Sequence, residues 1–343
     1  MQNIQALRKN LVLIGGGHSH AIALRMLAMN PLPGVRITLI TDFSDTPYSG
    51  MLPGHIAGFY TRNGCHIDLR KLAHFAQAQL YIDCVTGIDL EKNQVICGNR
   101  PNVGFDLLSV DIGSTPATIS VPGATKYAIP AKPVGNLLQS WYGLVEKIKQ
   151  NPHKAVNIGI VGGGAGGVEL ALSMQGHLQQ YNSNFKIHLF GRDNQLMSDR
   201  NPFVGNLFRR IIIECGVKLH LGETVCQVAP QEDIERLNVI CESGLKIECD
   251  DIFWVTQASA PGWLKATGIA TDERGFILVN DYLQSSSHPL VFAAGDIATM
   301  KNHPRAKAGV FAVRQGKPLF ENLRRSLLGK NLQRYSPQRE YLS

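Results

Sequence analysis

The chain has 343 residues, 44% hydrophobic and 18% charged, with 34 glycines and a formal charge of +7. That length allows two domains with separate cores, and the composition excludes disordered and fibrous classes in favour of a globular α/β protein. No apolar run reaches the roughly 18–20 residues that span a bilayer, and the N-terminus lacks a signal-peptide pattern, so the sequence reads as intracellular.

In chain order, LVLIG (11–15) predicts a buried parallel strand, 18–29 a helix stopped by Asn30 and Pro31, and VRITLI (35–40) a second strand. This is a βαβ unit, and its right-handed crossover places both strands in one parallel sheet. The irregular stretch TPYSGMLPGHIAGFY follows, then strands near 80–85, 94–97 and 105–112, the last ending in DIGSTP. Prolines and glycines across 121–135 predict a hinge, and 136–150 reads as a helix. A second βαβ unit occupies 156–190, where NIGIVGGGAGGVE leads into a helix over 165–181 and KIHLF is the second strand. A helix at 201–215, the strand VKLHL and β-type runs at 225–228, 237–241, 245–248 and 251–256 come next. VFAAGD (291–296) then reads as a strand that completes the first sheet, followed by a helix over 306–328. The repeated unit predicts an α/β fold of two Rossmann-like dinucleotide-binding domains, one inserted into the other: 1–120 with 270–343, and 135–265 between them.

A glycine turn between strand and helix lets backbone N–H groups approach a pyrophosphate at the positive end of the helix. Two such turns imply two dinucleotides, which points to a flavin fed by a nicotinamide. In the second turn Gly162, Gly164 and Gly167 hold the three motif positions. In the first, Gly15 and Gly17 are followed by His18, but His20 stands at the third position. A side chain there must be accommodated between helix and sheet, or the helix must stand off. The acid that bonds the ribose at the end of the second strand is Asp42 in the first unit. In the second unit that place is Gly191 and Arg192, with no carboxylate. Arg192 is either a ligand for a 2′-phosphate, which leaves NADPH open, or a solvated surface residue.

Cys65, Cys84, Cys97, Cys215, Cys226, Cys241 and Cys249 form no CxxC pair, which argues against a disulfide framework, a zinc site or a redox dithiol. From Arg314 to Arg339 the chain carries Arg314, Lys317, Arg324, Arg325, Lys330, Arg334 and Arg339 against the single acid Glu321. Interleaved with Phe320, Leu323, Leu327 and Leu328, these fit a basic amphipathic segment on anionic lipid, or a helix with a packed apolar face, which is the preferred reading. No nucleic-acid recognition module accompanies the charge.

GGGHSH, DIGSTP, GGGAGGVE and AAGD, in that order over nearly the whole chain, together resemble the two-dinucleotide flavoproteins, the pyridine-nucleotide–disulfide oxidoreductases. Without a dithiol motif, the chain resembles their type II NADH dehydrogenase and NAD(P)H-dependent flavin reductase branches. More narrowly, GGGHSH, TPYSGMLPG, HIDLR and KAGVFAVRQG are similar to an NADH-dehydrogenase-like subgroup sometimes fused ahead of selenide, water dikinase, in which His20 is a subgroup feature. Beside that subgroup the C-terminal interface region, which helps cover the flavin and supplies membrane contact, reads as truncated.

The resemblance implies that the domain built from 1–120 and 270–343 binds FAD and that 135–265 binds NAD(P)H. It assigns Gly295 and Asp296 to the FAD ribitol or phosphate, Val85 to backbone contacts with the adenine, and Lys132 to an FAD contact. A helix starting near Lys307 and Ala308 would aim its N-terminus at the flavin N1/O2 edge, and Tyr48 to Pro53 would cover one face of the ring. Glu169, expected in the first turn of the nicotinamide-domain helix, would orient the nicotinamide or relay a proton, or act only as an acid near a helix N-terminus. The implied activity is hydride transfer from NAD(P)H to flavin N5, then electron delivery to a small-molecule acceptor such as a quinone, with no metal required. A soluble reductase for a protein carrier or a sulfur or selenium compound, and a flavin-bound sensor with little turnover, are the alternatives. The expected location is cytoplasmic, with peripheral contact on the inner membrane face accompanying a quinone acceptor.

Overall fold

A computed structural model describes residues 9–116, 121–181, 184–231, 234–256 and 258–338, so Arg339 lies outside the described residues. The chain divides into two compact units: Met1–Tyr48 with His66–Ser114 and Ser259–Ser343, and Ser49–Cys65 with Thr115–Ala258. The excursion Ser49–Cys65 therefore clusters with the second unit, although it interrupts the first in sequence.

In the first unit the alternation-free apolar runs form a parallel sheet in the order Val291–Ala293, Leu107–Val110, Lys9–Ile14, Val35–Thr41, Gln79–Ile82. Parallel strands covered on both faces bury every residue, and Leu11, Leu13, Leu39, Leu108 and Phe292 are fully enclosed. The strand from late in the chain completes this sheet by pairing Val291 with Leu108, as the sequence predicts. It stops at Ala293, earlier than VFAAGD suggests, because Gly295 turns the backbone to φ 71° and a short 3-10 turn, Gly295–Ile297, takes over. The helix His18–Met29 packs against the final helix Gly309–Leu327, and Gly316 permits the approach: a Cβ there would lie 2.6 Å from Ile22 Cβ.

The final helix packs most of the apolar side chains of the basic segment. Leu319, Phe320, Leu323 and Leu327 are buried, while Arg314 and Lys317 face solvent. Burying each such side chain is worth about 1.5–3 kcal/mol, so these four are committed to the core, while Leu328, just past the helix, stays 48% exposed. Asn322, also enclosed, donates its amide to the carbonyls of Tyr282 (2.9 Å) and Gln333 (2.8 Å), tying the following tail to the unit.

The second unit repeats the plan with the order Ile129–Pro130, Asp251–Trp254, Val156–Val161, Phe185–Gly191, Lys218–Leu221, all parallel. The helix Val134–Gln150 buries Leu137, Leu138, Trp141, Leu144, Val145 and Ile148, an i, i+3/i+4 stripe that explains why this segment is helical. An antiparallel meander, Val225–Gln231, Ile234–Cys241 and Lys246–Cys249, completes the unit. Among the described residues no helix is long and apolar enough to cross a membrane, and no group of three or more His, Cys, Asp or Glu is placed to hold a metal ion.

Candidate functional site

The first glycine turn is built around Asp111, the residue just after the strand Leu107–Val110. Gly15 lies at φ 90°, where an L side chain is strained and a Cβ would strike the Asp111 carbonyl. Gly17 is the N-cap of His18–Met29 and has no side chain to satisfy the helix N–H groups. The Asp111 carboxylate does so instead, accepting from the His20 N–H at 2.9 Å and from the Ser19 N–H. Burial raises the Asp111 pKa to about 7, and Asp296 pushes it the same way while the two N–H bonds resist.

His20 is fully buried and hydrogen-bonded at both ring nitrogens, Nδ1 to the Gly15 carbonyl at 2.7 Å and Nε2 to Ser109 Oγ at 2.8 Å. A carbonyl can only accept, so Nδ1 carries the proton and Ser109 donates to Nε2. Burial lowers its pKa to about 4, which keeps the ring neutral and suited to this donor–acceptor pattern. The side chain is thus accommodated at the third motif position by a bond back to the turn itself.

Around this turn the structure gathers Gly295, Asp296 and His18. The Gly295 N–H donates to Gln315 Oε1 at 2.6 Å, and Ser114 Oγ donates to Asp296 Oδ2 at 3.3 Å. His18 meets the Tyr48 ring edge-on at 5.1 Å, and its Nε2 is buried without a hydrogen-bond partner. Its pKa is lowered by burial, against the pull of Asp296. Gly295, Asp296, Arg305, Lys307 and Phe311 line one pocket. Lys307 Nζ donates to the Ala298 carbonyl (2.7 Å) and Thr299 Oγ1 (2.9 Å) and sits 4.0 Å above the Phe276 ring, and burial lowers its pKa to about 8. Ala308 is the N-cap of the final helix and offers no side-chain cap, and its carbonyl accepts from the Phe311 N–H at 3.0 Å. A glycine cradle that no Cβ could share, an orphaned buried imidazole nitrogen and an uncapped helix end fit FAD.

On the same unit Asp42 follows Val35–Thr41 and shares a hydrogen bond with the Cys84 thiol, its pKa raised mainly by burial. Val85, buried, begins the next strand, so the expected ribose and adenine contacts lie together. Asp83 anchors them: it accepts from the Cys84 N–H (2.8 Å) and the Asn99 N–H (3.2 Å) and pairs with Arg100 at 3.3 Å. Burial of Asp83 works against ionisation, but these partners outweigh it and lower the pKa.

In the second unit Gly162 lies at φ 136° with the Val255 carbonyl 2.5 Å from where a Cβ would be, and Gly164 is the extended N-cap of Ala165–Leu178. A Cβ at Gly167 would overlap the Gly162 carbonyl oxygen. Because the helix starts at Ala165, Glu169 is its fifth residue and lies beyond the first turn, which corrects the sequence expectation and weakens any dipole role. Its side chain reaches solvent, yet enough protein surrounds the carboxyl that desolvation raises its pKa. Arg192, 68% exposed, holds its Nε 3.4 Å from Asp193 Oδ1. Lys132 sits between Ile129–Pro130 and Val134–Gln150, and Pro53 is the second residue of the short helix Leu52–Ile56, both in the second unit. Sequence reasoning passed over Asp111, Ser109, Asp83 and Gln315; the signal for Asp111 was an acid inside the otherwise apolar strand end VDIGS.

Two strand–glycine–helix turns, each at the end of a parallel sheet, define a protein that holds two dinucleotides. Residues 9–316 match the pyridine nucleotide-disulphide oxidoreductase family, and the chain belongs to it as an FAD-dependent NAD(P)H oxidoreductase. It is 30% identical over 340 residues to ferroptosis suppressor protein 1 of Xenopus laevis, covering 95% of this chain and 83% of that one. It is 23% identical over 219 residues, 62% of this chain and 52% of the other, to demethylphylloquinone reductase NdbB of a Synechocystis strain. Among solved structures, the water-forming NADH oxidase of Lactobacillus brevis bound to NADH shares the fold at TM-score 0.75 and 20% identity, over 92% of this chain and 69% of that one.

Proposed function

We propose that this oxidoreductase delivers electrons from NAD(P)H to a quinone. Bound FAD supplies the two-electron chemistry, and the chain supplies positioning, charge and a proton. In this reading Gly15, Gly17 and His18 cradle the pyrophosphate, and Asp42 and Val85 hold the adenosine. Gly295, Asp296, Lys132 and the helix end at Ala308 face the flavin side, with Pro53 over the ring. Gly162, Gly164 and Gly167 take the nicotinamide dinucleotide, and Arg192 receives the 2′-phosphate of NADPH.

The observation that carries the acceptor is Glu169, a carboxyl whose raised pKa keeps a proton to higher pH than an ordinary glutamate does. Quinone reduction consumes two protons with two electrons, so a proton-holding group beside the acceptor serves it directly. None of the seven cysteines is in a disulfide, and burial pushes the Cys241 and Cys249 thiols up to about 12. Likeness to a protein named as a demethylphylloquinone reductase supports the same reading. Peripheral contact with a membrane accompanies a membrane-soluble acceptor, through a surface other than the packed final helix.

Steady-state assays with a water-soluble quinone and with ferricyanide test this. Glu169→Gln is expected to slow quinone reduction about a hundredfold and to spare ferricyanide, which takes electrons without protons. A wild-type protein that bleaches with NAD(P)H but leaves the quinone untouched would sink the proposal.

A further inference from the structure

Asp111 is only 2% exposed and is not among the groups that the redox chemistry uses. Its carboxylate stands at the N-terminus of His18–Met29, bonded to the Ser19 and His20 N–H groups. Gly17 and Gly295 press on it from two sides, so closely that a Cβ on either would overlap the carboxyl group. The carboxylate is therefore enclosed by the turn assigned above to FAD, where it holds the Ser19 and His20 N–H groups while the Asp111 carbonyl accepts from the Gly17 N–H at 3.1 Å.

The groups facing it offer little to stabilise a negative charge. From Gly295–Ile297 comes Asp296, which is itself acidic. From His18–Met29 come backbone N–H groups only: the buried, neutral His20 ring is turned to Gly15 and Ser109, and His18 acts on Asp296. From the final helix comes Gln315, a neutral amide already bonded to the Gly295 N–H. Lys307 acts on Asp296 and Asp272, not on Asp111 directly. A helix N-terminus carries about half a positive charge, enough to favour one anion but not a carboxylate and a pyrophosphate together. Like charges brought into one enclosed site resolve by protonation of the weaker acid.

We propose that Asp111 takes up a proton from solvent when FAD binds, so that the pyrophosphate shares the first turn with a neutral carboxyl group. The inference rests on the assignment of this turn to FAD. Asp111 is a positioning residue: in either protonation state its oxygens accept from the helix N–H groups, and only its charge changes. Its pKa near 7 in the protein without ligand places the transition where FAD can drive it.

The test is FAD affinity against pH, read from flavin fluorescence released when the holoprotein is diluted. The wild-type Kd is expected to rise about tenfold between pH 8 and pH 9, the slope of one linked proton. Asp111→Asn, which accepts a hydrogen bond but carries no charge, is expected to flatten that rise. Lys307 also titrates in this window, with a pKa of about 8, so the difference between wild type and variant isolates Asp111. A variant with the wild-type slope overturns the proposal while leaving the FAD assignment intact; a protein that holds no FAD overturns both. If Asp111→Asn fails to fold, infrared difference spectra of the wild type decide. FAD binding at pH 8 must make the carbonyl band of a buried neutral carboxyl appear, and its absence overturns the proposal.

Discussion

The two glycine turns solve one packing problem in opposite ways. In the second unit the third motif position is Gly167, and the helix lies so close that any Cβ there would overlap the Gly162 carbonyl. In the first unit the same position holds His20, and its ring bonds the equivalent carbonyl, that of Gly15, at 2.7 Å. One turn removes the side chain, and the other turns it into a strut between the helix and the sheet, anchored at Ser109. The lesson is that the motif requires the first-glycine carbonyl to be satisfied or cleared, and a buried neutral imidazole meets that need as well as a hydrogen atom does.

If this contrast is right, the two positions fail differently. Gly167→Ala is expected to have the largest effect, more than about 3 kcal/mol, because backbone must move to admit the Cβ. It shows as loss of NAD(P)H affinity in nicotinamide titrations, while the protein still binds FAD. His20→Ala is next, about 3 kcal/mol in urea unfolding, from the cavity and from leaving the Gly15 carbonyl and the Ser109 hydroxyl unpaired. That variant should lose FAD before it loses NAD(P)H. Equal loss of both dinucleotides in either variant would dissolve the distinction between the turns.

The comparison also carries a pH signature. His20 has a folded pKa of about 4 against an ordinary 6.5, so the unfolded chain binds the proton first. Stability from this group is full above pH 6.5, is lost as pH falls from there towards 4, and changes little below. The total is on the order of 3 kcal/mol. Other groups act in the same range: burial also lowers the pKa values of His18, His177 and His220, and raises those of Asp42, Glu169 and Asp251. His188, in the second unit, is lowered by burial to about 4 and adds a loss of the same sign, while Asp111, raised to about 7, acts in the opposite direction. The difference between wild type and His20→Gln therefore isolates the strut: stability measured by urea at pH 7 and pH 5 should fall less in the variant.

How much of this was legible depended on whether a feature was local in sequence. The strands and helices of both βαβ units, and the late strand that completes the first sheet, follow from runs and caps that can be read directly. The helix 18–29 matches His18–Met29 because Gly17 opens it and Asn30 closes it. His20 was visible as an exception, but its partners Ser109 and Asp111 are about ninety residues away and meet it only through the parallel register of Leu11 with Leu107. The helix start at 165 agrees with the sequence reading, but Glu169, its fifth residue, falls just past the first turn in which it was expected. The grouping of Ser49–Cys65 with the second unit has no local signal, because it reflects which surface that excursion packs on.

The smallest and sharpest test is Ser109→Ala. The hydroxyl donates to His20 Nε2 at 2.8 Å, and both residues are fully buried. Removing it leaves a buried acceptor unpaired at a cost of about 1 kcal/mol, well below that of losing the whole ring. A surface or purely steric role for Ser109 would give a similar number, so the single variant is not enough. In the His20→Ala background the hydroxyl has no imidazole to bond, and Ser109→Ala should then cost close to nothing. A double-mutant cycle in urea reads this coupling directly. Equal costs in the two backgrounds would mean that the ring is held by packing alone, and that the first turn tolerates His20 rather than using it.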